Sequence, residues 1–261
     1  IGWTWDDYRE YAKAMTTHEH YGAYFHISPE YSNAIAYNEL PHPQLNEDMT
    51  LNYDHPSYPY FFELRRAMEK EDKSVEPHAD VLASNYHVLQ QFFAGKASML
   101  ATGQFIINAT TLLDRFPHDF QTVYAPMPRH PEQTEIGLTS IGGNFLGMGA
   151  SSDHKEASYT FMKWMATEGN IYLRAITGWR KADGLAMLKE YYGQHEKLID
   201  LDSLSNALFN PEIKSPGFIS TPLTGELGKV NENAFNAYML DDLPFEEALE
   251  MLKTEGAKIV K

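Results

Sequence analysis

FFAGKASMLATGQF, residues Phe92 to Phe105, decides how the rest of the chain is read. Asn85 to Phe93 is expected to be a helix, with Tyr86, Leu89 and Phe93 on one face and Gly95 placed as its C-terminal stop. KASMLAT (Lys96–Thr102) follows as a short strand, and Gly103 turns it. QFIINATTLLDRF (Gln104–Phe116) can return as a helix, and FQTVYAPMP (Phe120–Pro128) reads as a further strand closed by Pro126 and Pro128. The stretch contains no strong acid, thiol or metal ligand, so its chemistry suits holding a ligand rather than reacting with one.

Outward from this unit the same alternation continues. Thr4 with Asp7 reads as a capping box opening a helix on which Trp5, Tyr8, Ala12 and Met15 recur at helical spacing. YGAYFHI (Tyr21–Ile27) reads as a strand, and Phe61, Leu64 and Met68 mark another helix. The proline-rich Leu40–Pro59 stretch reads as loop with a short hairpin. After Pro128, a polar crossing (Arg129–Glu135) leads to the glycine-rich, apolar Ile136–Ala150. Asp153 and Glu156 can form a capping box for a helix carrying Ala157, Phe161, Trp164 and Met165 on one face. Two helices close the chain, the last opening near Pro244 with Phe245, Ala248, Leu249 and Leu252 at core spacing. Strands alternating with helices point to an α/β sheet.

Composition narrows the function classes. The 261 residues are 43% hydrophobic and 22% charged, as in a globular chain with sizeable cores. No apolar run approaches the roughly 20 residues of a bilayer span. A formal net charge of −15 argues against nucleic-acid or anionic-membrane binding. The chain has no cysteine, which removes disulfides and thiolate chemistry and suits an exported protein. IGWTWDDYRE shows no signal-peptide pattern.

Catalytic constellations are weakly represented. The pairs Asp6/Asp7 and Asp241/Asp242 could act as glycosidase carboxylates, but both are read near helix starts, where they favour the helix dipole. His18-Glu19-His20 could hold a metal on a strand but not on a helix; an exposed turn is the plainer reading, and no metal or cofactor is expected. The chain holds 16 Tyr, 14 Phe and 4 Trp, mostly for cores, though aromatic faces also suit the apolar faces of sugar rings.

Phe93, Gly95, Lys96, Ala97, Ser98, Met99, Gly103 and Phe105 together resemble the hallmark of family 1 extracellular solute-binding proteins of ABC transporters, the maltose-binding-protein-like group. TWDDYREYAKAM, VYAPMP, the IGGNFLGMG segment with its following helix, and LPFEEALEML are similar to further family segments in the same order. The resemblance implies a periplasmic-binding-protein type II-like α/β fold, with one nearly complete lobe and a segment of the second. It assigns residues 1–129 and 192–261 to the ligand-binding lobe, and 130–191 to a hinge crossing and part of the other lobe. A sugar or oligosaccharide would be held between lobes and handed unchanged to permease subunits outside the cytoplasm, in the periplasm or on a lipid anchor absent from this chain.

Carried over by position, the implied ligand-binding residues are Phe105, Tyr31, Gln104, Gly142, Gly143, Asn144, Trp179 and Arg180. Near Glu226, where some members stack a tryptophan, the chain reads TGELGK and has no aromatic. The chain opens where family members enter the second lobe, so a fragment is expected, with apolar surface on residues 137–176 exposed or repacked. Two other readings stay open: a glycoside hydrolase or lyase using a carboxylate pair, and a binding protein for a peptide, polyamine or oxyanion.

Overall fold

The computed structural model describes residues 1–84, 88–140, 146–169, 172, 183–217, 219 and 221–260. The chain divides into two compact units: residues 1–103, 126–140 and 212–261 form the first, and residues 104–125 and 141–211 the second.

The first unit is built on a βαβ crossover. Helix α1 (Trp5–Met15) opens on the expected capping box: Asp7 N–H donates to Thr4 Oγ1 at 3.2 Å, and Thr4 N–H donates to Asp7 Oδ2 at 2.8 Å. Strand β1 (Tyr21–Phe25) pairs in parallel with β2 (Ala97–Ala101), with Tyr21 opposite Ala97 and Phe25 opposite Ala101. A parallel pair needs a long crossover. Here it contains α2 (Ala34–Glu39), α3 (Ser57–Lys70), α4 (His78–Ser84) and α5 (Val88–Phe93). Gly95 ends α5 at φ +69°, a left-handed position suited to glycine. The start of the helix expected from Asn85 lies outside the described residues.

The expected hairpin in the proline-rich loop is a turn in which Asn46 N–H donates to Thr50 O at 2.8 Å, with Leu45 bridging Leu51 antiparallel. Trp5, Tyr8, Phe25, Phe61 and Met68 form one buried cluster. A second, of Tyr53, Tyr58, Phe62, Phe235, Tyr238 and Leu252, joins α3 to the closing helices α10 (Thr224–Leu240) and α11 (Phe245–Ile259).

An ion pair fastens α1 to the end of α3. Arg9 Nε meets Asp72 Oδ2 at 2.5 Å, and Lys13 Nζ stands 3.6 Å from Asp72 Oδ1. The Arg9 guanidinium holds the Asp72 carboxyl below its ordinary value of 3.8. A depressed folded pKa contributes stability above the unfolded value and loses it as pH falls through the folded one. Asp72→Asn is therefore expected to cost about 1–2 kcal/mol at neutral pH. The gap to the parent should narrow as acid is added below pH 3.8. Urea unfolding at both pH values checks this; a gap independent of pH would overturn it.

In the second unit, α6 (Ile106–Ala109), α7 (Lys155–Thr167), α8 (Gly184–Tyr192) and α9 (Leu201–Phe209) are joined by irregular chain. Leu188, Tyr192, Ile199 and Leu204 are the most buried apolar side chains among its described residues. Three sequence expectations change here. The helix after Gly103 stops at Ala109, because Thr110 and Thr111 turn their hydroxyls back onto the carbonyls of Ile106 and Asn108. Phe120–Pro128 forms no strand: Thr122 alone pairs, receiving Asp200 N–H and donating to Leu198 O. Its partner turns into α9 at Leu201, and Pro126 and Pro128 have no N–H to extend a ladder. Finally, α7 is preceded by His154 with no side-chain cap, so Asp153 makes no capping box with Glu156.

The expected exposure of apolar surface is borne out. No side chain of α7 is buried; Tyr159 and Phe161 are exposed, as are Leu146 and Met148 before the helix and Tyr172 after it.

Candidate functional site

In an open parallel sheet the carboxyl ends of the strands are the ends at which ligands bind, because the chain leaves there in loops free to carry polar groups. In the first unit those ends deliver His26 after β1 and Thr102 after β2. Immediately beyond His26, a 3₁₀ turn (Pro29–Ser32) carries Tyr31, whose ring stacks on His26 with centroids 5.3 Å apart and planes at 24°.

This turn is held by buried polar contacts. Ser32 Oγ donates to Pro29 O at 2.5 Å, and Asn231 Nδ2 on α10 donates to Ser32 Oγ at 2.5 Å. Asn33 Oδ1 caps α2 through Ala36 N–H at 3.2 Å, and its Nδ2 donates to Ser57 Oγ at 3.3 Å. His26 Nδ1 accepts Ser28 N–H at 2.8 Å, which leaves the proton of the neutral ring on Nε2.

Burial pushes the Tyr31 phenol above its ordinary value, outweighing the opposing pull of the Thr102 hydroxyl and the Gly103 backbone nearby. The phenol therefore stays neutral at physiological pH and keeps its proton to donate. Thr102 Oγ1 itself is buried without a well-formed hydrogen bond to the described residues. The result is a surface of aromatic and hydroxyl groups at the strand ends.

Gln104 and Phe105 open the second unit; both are exposed, and Phe105 precedes α6 with 51% of its surface accessible. Gly142, Gly143, Asn144, Trp179 and Arg180 lie outside the described residues.

The rival chemistries find little support in geometry. Asp7 is engaged in the helix cap, which lowers its pKa, the opposite of what a general acid needs. Asp6 accepts the Tyr60 hydroxyl at 2.7 Å. Asp241 and Asp242 close α10 rather than open a helix, and Asp242 occupies the connecting turn at φ +52°. His18 and Glu19 are exposed in the bend after α1, where Thr17 Oγ1 meets His20 Nδ1 at 3.0 Å. Among the described residues, no group of three His, Asp or Glu side chains is placed to hold a metal, and no helix is long and apolar enough to cross a membrane.

Against known proteins, no family model matches the sequence, and no curated protein does. Solved structures do match. An ABC substrate-binding protein from Listeria monocytogenes in complex with cycloalternan superposes with a TM-score of 0.69 at 16% identity, over 99% of this chain and 64% of that one. Maltose-bound MalE3 from T. maritima gives 0.68 at 16% identity, over 99% of this chain and 66% of that one. A sugar transporter from Rhizobium etli in an open conformation gives 0.64 at 19% identity, over 97% of this chain and 64% of that one.

The fold is that of the type II periplasmic binding proteins.

The chain spans about two thirds of the length of these structures. Tyr31 sits on a turn beyond the strand ends that polar side chains hold in place. Reading the sequence did not single out His26 or Asn231. His26 could have been found as the first polar residue after a buried strand. Asn231, 199 positions from Ser32, carries no local signal.

Proposed function

We propose that the chain is the ligand-holding part of a solute-binding protein of an ABC importer. In this reading it takes a sugar or oligosaccharide by stacking and hydrogen bonding, and passes it to permease subunits unchanged. The placement of Tyr31 at the carboxyl ends of β1 and β2 carries this reading. Neighbours described with maltose, cycloalternan and D-mannitol support the choice of a sugar.

The ligand set is proposed as Tyr31, Gln104, Phe105, Gly142, Gly143, Asn144, Trp179 and Arg180. An extracytoplasmic location, and a lobe made of 1–129 with 192–261 against 130–191, belong to the same proposal. A neighbour in complex with glycerophosphocholine, UgpB from Mycobacterium tuberculosis at 12% identity, favours a polar non-sugar ligand as the second reading.

The test is thermal unfolding against a panel of neutral mono- and oligosaccharides plus glycerophosphocholine. A true ligand at 100 times its Kd should stabilise the chain by about 2.7 kcal/mol. No shift with any sugar removes the sugar reading, and a shift with glycerophosphocholine alone establishes the second. Turnover of chromogenic glycosides would move the protein to the enzyme class. With a sugar in hand, Tyr31→Ala and Phe105→Ala are each expected to weaken it by roughly 1–2 kcal/mol, the scale of a lost aromatic contact. Phe105→Ala should leave the melting temperature nearly unchanged, since its ring is half exposed. Unchanged affinity in calorimetric titration would remove the residue from the site.

A further inference from the structure

Arg65, on α3, is only 3% exposed. Its guanidinium lies 3.8 Å from the centroid of Phe25, the last residue of β1, and 5.3 Å from that of Phe235 on α10. It forms no ion pair with a described carboxylate. Its one hydrogen-bond acceptor among the described residues is the main-chain carbonyl of Tyr31, 3.4 Å from Nη1; Nε has none. Burial lowers its pKa to about 10, with Glu69 and Tyr8 pulling the other way, so it is charged at neutral pH.

A buried cation with no carboxylate in ion-pair contact is costly, and an apolar side chain of similar length would fill the same space more cheaply. Two aromatic faces offset part of that cost. What an apolar side chain could not supply is a donor to the Tyr31 carbonyl. That bond and the Asn231–Ser32 bond grip adjacent residues of one 3₁₀ turn, from α3 and from α10. Anchoring the carbonyl sets the peptide plane of Tyr31, and with it the direction in which the ring leaves the backbone.

Resting on the proposed function, we infer that Arg65 is a positioning residue for ligand binding: it locks the Tyr31 turn against the end of β1, and the fold gives up stability to keep it there.

The experiment compares Arg65→Met and Arg65→Lys with the parent chain. Three quantities are read: amide hydrogen exchange across residues 28–33, the urea midpoint, and affinity for maltose, maltotriose and D-mannitol as probes. For Arg65→Met, exchange at 28–33 should rise about tenfold or more while the urea midpoint holds or increases, and affinity for any probe that binds the parent should fall roughly tenfold. Arg65→Lys, which keeps a donor, should recover part of both.

Unchanged exchange at 28–33 would overturn the inference. So would a uniform rise in exchange with a lower midpoint, which would make Arg65 an ordinary core residue. If Arg65→Met does not fold, Arg65→Lys is read by the same criteria. If the parent binds no probe, the sugar reading fails on that observation, while exchange at 28–33 still decides the role of Arg65.

Discussion

Replacing Gly22 by valine is expected to lower the unfolding free energy by about 3 kcal/mol or more, beyond the usual cost of an overpacked core. Gly22 is buried in β1, directly against the end of α1. A Cβ at this position would stand 1.7 Å from the carbonyl oxygen of Ala12 and 2.6 Å from its Cα. These are backbone atoms of a helix and cannot rotate aside. The approach is held by hydrogen bonds: Thr16 Oγ1 receives Gly22 N–H at 2.9 Å and donates to Ala12 O at 2.8 Å. The φ of Gly22 is not in the left-handed region, so the demand is for space alone. Even alanine should be strongly destabilising. Urea unfolding is the measurement; a Gly22→Ala variant within 0.5 kcal/mol of the parent would show that α1 can move off β1.

Trp5→Ala should cost about 3–5 kcal/mol, the range for deleting a fully buried large aromatic. Trp5 has no exposed surface; its ring centroid lies 5.0 Å from that of Tyr8, 5.5 Å from Phe61 and 6.1 Å from Phe25. The last contact ties the cluster to the strand end from which His26 and the Tyr31 turn emerge. The indole Nε1 is buried with no hydrogen-bond partner among the described residues. Trp5→Phe removes that unpaired donor while keeping most of the ring, so its loss should be smaller, about 1–2 kcal/mol. Chemical denaturation of both variants separates packing from polarity: equal losses would mean that the indole shape, rather than buried area, is what the core requires.

Local features were legible in the sequence because their causes are local. The Thr4–Asp7 box depends on residues three apart, and the stop at Gly95 on one residue's freedom to take positive φ. The apolar spacing of the long helices followed from the period of the helix, and the α/β character from strands alternating with helices. The same local reading failed where a local competitor or a partner was decisive. Threonine hydroxyls ended the helix after Gly103, and Phe120–Pro128 found only a one-residue partner before α9 began.

The site divides along the same line. The sequence by itself determined that an aromatic motif without reactive groups sits beside a short strand, and the resemblance it carries marked Tyr31. Only the tertiary structure decided that Tyr31 stands at the carboxyl ends of a parallel pair, stacked on His26 and secured by Arg65 and Asn231. Those partners lie 34 and about 200 positions away in the chain. Hydrogen bonds and ring contacts depend on distance in space, which sequence separation does not encode.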